Sequence, residues 1–551
     1  MFVFYSTMET YKRNWPTIPL LGIFLLLHSC STDPTGSGSI SSIFSSGKLN
    51  IDECKESLAV TLADTTYAGI PDSTWKDLQQ AYSRIENKAV WLNNDGLNEM
   101  ALALSVQLDS LQYDGFPVDT LGARLWKDAE TLLQSNDVPS SKAVQAELML
   151  STAFLRSCKK LLFDDQPDSN KEWKIKNDSS LLLTHSLHVL DSLQNTADAL
   201  NWMRPKHFWY STFRKEYGRV MQETIAAGSQ EAIRNLPDSI PESFTDPGLT
   251  ALRKTLYRRT KLPLDTVTAG WNDSLFQAVK LFQYRHQIKQ TGKLDSVTKR
   301  LLTVSKEHRL QQLALNMARM RRMPNNFKQP YIWVAVPKME LDYVEHDTIG
   351  FNMRVVVGRP SRPTPSLQSK IENIVFSPPW TVPPTIMKEE VLPGIARRGG
   401  SYLARRGLKA YDRRGRVVNA SAINSKNFRS YSIGQAPGYR SSLGEVKFNM
   451  INPWAIYLHD TPHREDFVKA YRAFSSGCIR VHHPKQFAEF LLRDTAKYSF
   501  QKIDSICKRR RTQYVPMKRD IAVHVVYLTN ALDSTGQVMY LKDIYHWDQR
   551  L

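Results

Sequence analysis

Apolar residues recur at spacings of three and four through 100–111, 146–162 and 181–193. This period predicts helices, and the span 51–250 reads as one helical scaffold domain. Pro139, Pro167, Pro205 and Pro237 punctuate it. Trp202, Trp209 and Tyr210 are expected in its core, because no chemically reactive cluster accompanies them. A separate helical unit is expected over 251–305. There Trp271, Leu275, Ala278, Val279 and Phe282 fall on one helical face, a turn follows at Thr291-Gly292-Lys293, and Thr298, Leu301 and Leu302 begin a second face. From 330 the period changes to two. Strands are predicted over 331–336, 351–357, 446–450, 455–458, 521–528 and 538–541, with a helix over 484–492. The expected fold class is therefore multidomain α+β, with a β-rich domain over 325–551.

The leader changes the picture of where this chain works. Lys12 and Arg13 precede an almost purely apolar run from Ile18 to Leu27. Ten apolar residues suit an export signal, whereas a membrane span needs roughly twenty. Residues 1–30 are thus expected to be a signal segment. Its end, Leu27-His28-Ser29-Cys30, resembles a lipobox, which implies lipidation of Cys30 and a membrane-anchored, periplasmic protein facing the cell wall; cleaved soluble export and an uncleaved anchor are the alternatives. The Ser/Gly-rich stretch 31–50 reads as a flexible linker.

Charge sharpens the choice of partner. The chain has 551 residues with 73 Lys and Arg against 54 Asp and Glu, a net charge of +19. Such an excess suits an anionic partner, and export excludes nucleic acid as the normal one. Eleven Lys and Arg fall between 391 and 440 against the single acid Asp412. A lid that attracts wall carboxylates or leans on anionic wall polymer or lipid, and a plain solvated face, both fit that segment. Five cysteines are too few for a disulfide scaffold, although a Cys54–Cys158 bridge is open to an exported chain. No histidine has carboxylate or thiolate neighbours at metal-ligand spacing, so no metal or other cofactor is expected.

The chemistry concentrates in Ile456-Tyr457-Leu458-His459-Asp460-Thr461-Pro462 and Ala473-Phe474-Ser475-Ser476-Gly477-Cys478-Ile479-Arg480-Val481. A cysteine nucleophile acts as thiolate, so a nearby base and positive charge must make that form accessible. His459 at a strand end and Arg480 beside Cys478 supply both. Gly477 allows close backbone approach, and the N–H groups around Gly477 and Cys478 are candidates to face an oxyanion. A Cys–His pair alone leaves a buried inert cysteine and a structural histidine open. His463 is a rival base.

The full string resembles the YkuD-type L,D-transpeptidase catalytic domain, whose signature is a strand-end His followed by S-H-G-C, a hydrophobic residue and Arg. His459, Ser475, Gly477, Cys478 and Arg480 fall on that pattern; Ser476 departs from it. The form found here resembles a large multidomain branch with a helical scaffold, a peptidoglycan-binding module and a capped active site. The resemblance implies Cys478 as nucleophile, His459 as general base and acid, and the backbone carbonyl of Asp460 orienting His459. It implies substrate contacts from Arg480, Ser475, Ser476, Tyr457 and Trp380, where Trp380 either lines the cleft or packs the cap. Ser377 to Pro384 and Gln435 to Gly444 resemble the entry and exit of a capping subdomain at about 377–445. The unit at 251–305 resembles the three-helix peptidoglycan-binding module, with Phe282, Gln283, His286 and Gly292 on its pattern.

The implied activity is 3→3 cross-linking of wall peptides through a cysteine thioester, with D-Ala released from a tetrapeptide stem and no cofactor. Donor and acceptor stems, carbapenems at the same thiol and other wall-synthesis proteins are the implied partners. The same residues also suit transfer to water, as a carboxypeptidase or amidase, or to the lysine of a lipoprotein. A catalytically inactive wall-binding lipoprotein is the alternative from another class.

Overall fold

A computed structural model describes residues 49–548, apart from 136, 164–179, 242, 266–269, 325–326, 420–421 and 424–426. The signal segment, Cys30 and nearly all of the linker lie outside the described residues. No described helix is long and apolar enough to cross a membrane. The fold is multidomain α+β, with helices in the N-terminal half and a β-rich C-terminal region.

The helical region expected as one scaffold divides into three by its cores. Among the described residues, eight α-helices between Ile51 and Met203 share one apolar core that runs from Leu49 to Met203. The longest, Ser140–Leu162, starts directly after Pro139, a residue suited to a helix entrance because its missing N–H is not needed there. At its centre Glu147 is fully buried, accepting the Val90 and Trp91 N–H groups and the Tyr82 hydroxyl. The next helix, Phe208–Met221, leaves that core and packs on the β-rich domain, where Trp209 stacks on Trp333 at 4.6 Å. Tyr210 is buried as expected, but Trp202 is 36% exposed and is no core residue.

The third group is the small helical unit. Its helices are α1 (Ser229–Asn235), α2 (Pro247–Thr260), α3 (Asp273–Arg285) and α4 (Ser296–Leu302). They bury one core from Ile233 to Leu302, so the unit begins upstream of the boundary expected at 251. Helix α5 (Lys306–Arg321) then leads into the β-rich domain. It is fastened there by Asn316, which donates to Thr529 Oγ1 and Asn530 Oδ1 at 2.9 Å each. Arg285 at the end of α3 adds a buried ion pair to Asp533 at 2.8 Å.

The β-rich domain is a closed ladder. Its strands are β1 (Tyr331–Ala335), β2 (Glu340–Glu345), β3 (Thr348–Gly358), β4 (Leu367–Phe376), β5 (Val446–Met450), β6 (Leu458–His459), β7 (Ala473–Ser475), β8 (Ile479–Val481), β9 (Gln513–Pro516) and β10 (Ala522–Val526). The order β5-β6-β8-β3-β2-β1-β10-β4 closes because β4 also pairs with β5, while β7 and β9 add to β3 and β4. Alternate side chains such as Val355, Val357, Phe448, Leu458 and Ile479 fill the interior.

Between Ser377 and Glu445 the chain leaves the ladder and builds a cap. Four short strands (380–381, 409–411, 417–418 and 432–435) and several short helices enclose their own small core, which includes Val391, Leu403 and Ile433. Arg397, Arg398, Arg405, Arg406, Arg413 and Arg414 are all exposed on it.

Candidate active site

The pairing of β6 with β8 builds the site. These strands run parallel, with Leu458 opposite Ile479 and His459 opposite Arg480. The Ile479 N–H donates to the Tyr457 carbonyl at 3.1 Å and carries that register back to Cys478. Side chains alternate along a strand, and paired residues point the same way. Leu458 and Ile479 point into the core, so Tyr457, His459, Cys478 and Arg480 share the opposite face. On the other side of β6, Lys447 of β5 sits opposite His459 and joins them.

Contacts agree with this parity. Lys447 Nζ lies 4.0 Å from the Tyr457 ring centre, and the Tyr457 and His459 rings are 5.6 Å apart. Tyr457, Lys447 and Arg480 all lie near enough to act electrostatically on the Cys478 thiol. The thiol also faces the Ala455 carbonyl at 3.7 Å. Asn452 shapes the segment before Tyr457: its Oδ1 accepts the Ile456 N–H at 2.9 Å, and its Nδ2 donates to the Ile456 carbonyl at 2.7 Å.

His459 is buried and its Nδ1 donates to the Asp460 carbonyl at 2.5 Å. That bond assigns the proton to Nδ1 and leaves Nε2 as the acceptor. The Asp460 carboxylate faces elsewhere. It accepts the Glu445 and Thr461 N–H groups at 2.8 and 2.7 Å and pairs with Arg464.

The loop before β8 is held by a relay of hydroxyls. Ser475 Oγ accepts the Gly477 N–H at 3.1 Å and donates to the Cys478 carbonyl at 2.6 Å. Gly477 adopts φ +110°, a conformation that side-chain-bearing residues rarely take. Its N–H is committed to Ser475, so Gly477 shapes the turn and does not point a donor at an oxyanion. The buried Thr364 hydroxyl donates to the Gly477 carbonyl and accepts the Gly358 N–H, both at 2.8 Å. Tyr545, far along the chain, donates to the Gly358 carbonyl at 2.6 Å and accepts the Thr364 N–H at 3.2 Å.

Electrostatics at the site run against one expectation. Burial pushes the Cys478 thiol above its ordinary range, although Tyr457, Lys447 and Arg480 all pull the other way. Burial, with Arg480 and Lys447 adding to it, pushes His459 down to about 3. The resting site thus holds a neutral imidazole and a neutral thiol, not an imidazolium–thiolate pair. Arg480 is partly compensated by Asp466 at 3.2 Å.

Other residues singled out from the sequence lie elsewhere. Ser476 is exposed and accepts a hydrogen bond from Arg362 at 3.0 Å. Arg362 also pairs with Glu389 and Glu390 of the cap, which ties the cap to the nucleophile's loop. Trp380 is half-buried against the cap core. His463 is exposed beside Glu465. Cys54, Cys158 and Cys507 are buried free thiols, so the Cys54–Cys158 bridge does not form.

The small helical unit also revises its candidates. Gln283 is fully buried and serves the turn: Oε1 accepts the Gly292 N–H at 2.9 Å, and Nε2 donates to the Lys293 carbonyl at 2.9 Å and to Thr298 Oγ1 at 3.0 Å. A Cβ on Gly292 would come within 2.0 Å of the Phe276 ring. Phe282 is core. These three hold the unit together and present nothing to a ligand; His286, its ring tilted against Phe282, lines a cavity instead.

Lys447, Thr364, Arg362, Asn452 and Tyr545 had not been singled out from the sequence for any role at the site. Lys447 becomes visible only once its strand partner is known.

Comparison with known proteins adds the family. Residues 329–503 match the family model of the YkuD L,D-transpeptidase catalytic domain, and residues 76–216 match that of a scaffold domain. A Haemophilus influenzae protein named "Putative L,D-transpeptidase" is 34% identical over 254 residues, 45% of this chain and 51% of that protein. The chain thus spans about half the length of that curated relative. A solved structure titled "Structure of the Ldtfm-avibactam carbamoyl enzyme" is 11% identical over 54% of this chain and 96% of its own, with a TM-score of 0.19. The β-rich region of this protein, over residues 329–503, is thus similar to the L,D-transpeptidase catalytic domain.

Proposed function

We propose that this protein is an exported, membrane-anchored enzyme that forms 3→3 cross-links between peptidoglycan stems through a thioester on Cys478. The observation that carries this reading is the β6–β8 register, which sets Cys478, His459, Tyr457 and Arg480 on one face with Lys447 beside them.

The chemistry follows from the resting protonation. Nε2 of neutral His459 takes the thiol proton as Cys478 attacks the carbonyl of the third residue of a tetrapeptide stem. Lys447 and Arg480 favour the negative sulfur and the developing oxyanion, charges that exist in the transition state and not in the resting thiol. The imidazolium returns its proton to the amine of D-Ala, which leaves. The side-chain amine of a second stem then attacks the thioester, His459 removes its proton, and the free thiol is restored. The Asp460 carbonyl holds the imidazole in one tautomer throughout. Ser475 and Thr364 fix the loop, while Tyr457 positions the thiol. No oxidant or cofactor enters, because the thioester conserves the acyl energy of the cleaved peptide bond.

Purified protein is incubated with disaccharide-tetrapeptide and followed by intact mass and product analysis. A Cys478 adduct lacking D-Ala, followed by cross-linked dimer, supports the reading. Tripeptide alone would redirect the acceptor to water. An adduct-free protein, or dimer formation by Cys478→Ala, would overturn the mechanism.

A further inference from the structure

A large cavity lies away from Cys478, where four parts of the chain meet. Its volume is about 1050 Å³. Phe116 of the scaffold, Leu301 of the small helical unit, Leu315 of α5 and Leu541 near the C-terminal end contribute apolar surface. The charged lining is one-sided: seven Lys and Arg side chains against the carboxylates of Asp543 and Asp548.

The cations are built in, not splayed into solvent. Arg309 and Arg319 are 2% and 1% exposed. Arg309 is paired with Glu223 through one nitrogen, yet its Nε and Nη1 are buried and find no acceptor. Arg319 pairs with Asp548 at 2.7 Å while its Nη2 is equally without one. A guanidinium N–H buried without an acceptor is costly and rare in folded proteins, so these walls hold positive charge that the protein's own acceptors leave partly uncompensated. Arg259, crowded by burial and by Arg309, is pushed down to about 9, which an anion in the cavity would reverse. Asp543 is already engaged by the Tyr527 hydroxyl and by two N–H groups, and Asp548 by Arg319 and Thr529. The protein's own carboxylates are thus spent.

We propose that this cavity binds an oxyanion, carboxylate or phosphate, carried on a partly apolar body, at a site separate from the transpeptidase centre. Guanidinium forks suit either oxyanion, and the apolar wall suits the attached chain. Two sources carry that chemistry: a wall peptide with its carboxylates, and an anionic lipid with its headgroup phosphate.

The full chain carrying Cys478→Ala is titrated by calorimetry with two probes, the free tripeptide L-Ala-γ-D-Glu-diaminopimelate and dihexanoyl phosphatidylglycerol below its micellar concentration. At least one probe is expected to bind once per chain. Arg300 and Lys542 are exposed rim residues, and the double change Arg300→Gln with Lys542→Gln is expected to weaken that binding by about tenfold while the protein stays folded. Ala318→Trp, which fills the cavity, is expected to abolish it. Tripeptide binding alone assigns a wall source; lipid binding alone assigns a membrane source. Failure of both probes to bind at millimolar concentration, or binding that neither change weakens, overturns the proposal. Because neither change touches Cys478 or His459, this outcome leaves the transpeptidase reading standing or falling on its own.

Discussion

Replacing Thr364 with Val tests the hydroxyl relay that positions the nucleophile. The change keeps shape and removes one oxygen. Two bonds of 2.8 Å are lost together, one to the Gly477 carbonyl and one from the Gly358 N–H, and Thr364 is fully buried. Each buried group left without a partner costs about 1–3 kcal/mol, so the loss is expected at about 2–6 kcal/mol. The lower half of that range is favoured, because the new methyl group leaves no void and Ser475 still holds the Gly477 N–H. Loosening of the Gly477 carbonyl also displaces Cys478, and a small misplacement of a reacting atom costs roughly tenfold to hundredfold in rate. Urea denaturation monitored by tryptophan fluorescence reads the first effect, and the rate of adduct formation on Cys478 from disaccharide-tetrapeptide reads the second. Thr364→Ser keeps the hydroxyl and should retain most of the rate. A Thr364→Val protein within about 0.5 kcal/mol of wild type and with an unchanged acylation rate would refute the relay.

Three further outcomes follow from the same geometry. Because the Cys478 thiol is raised and His459 lowered to about 3, alkylation of Cys478 by iodoacetamide should keep rising through pH 9; a plateau already reached at pH 6 would show an imidazolium–thiolate pair instead. Lys447→Met removes a cation beside the sulfur and should lower acylation about tenfold with partial recovery in Lys447→Arg, whereas equal rates in all three would remove Lys447 from the site. Burial raises Glu147 to about 7. Its stabilising contribution is therefore fully present below the unfolded value near 4.5 and is lost as pH rises toward 7, by about 3 kcal/mol; equal pH slopes in urea unfolding of wild type and Glu147→Gln would contradict this.

Periodicity made much of the architecture readable, and its limits are equally physical. The strand expected over 446–450 and the helix over 484–492 have the observed bounds, because alternation and a proline entrance mark them locally. The long helix begins at Ser140, six positions before the expected start at Ala146; Ser140, Ser141 and Lys142 carry no apolar signal, although Ala143 and Val144 behind them are buried. The expected strand at 455–458 shrinks to Leu458–His459, because Asn452 bends the preceding residues into a turn. His459 and Cys478 stood out by residue type and order. Lys447 did not, since its neighbour across β5–β6 is set by pairing between segments and not by spacing along one. Gln283 misled for a related reason: a conspicuous polar residue in a motif gives no sign of whether it faces a ligand or ties its own turn.

The cap interrupts a strand pair that remains in contact at its root. Phe376 and Val446 lie opposite each other, and the Ser377 N–H still donates to the Glu445 carbonyl at 2.8 Å. The excursion between them is thus a hairpin loop of about seventy residues, whose closure costs roughly 3 kcal/mol more than a two-residue turn would. The cap's own core offsets that entropy, so cap folding and closure of the β4–β5 seam assist one another. The catalytic face is built on this seam, since Lys447 belongs to β5. Nascent chain therefore completes its nucleophile's surroundings only after the cap has been synthesised and its two ends have met, and a short turn spliced across Ser377 and Glu445 would turn that late, long-range event into a local one.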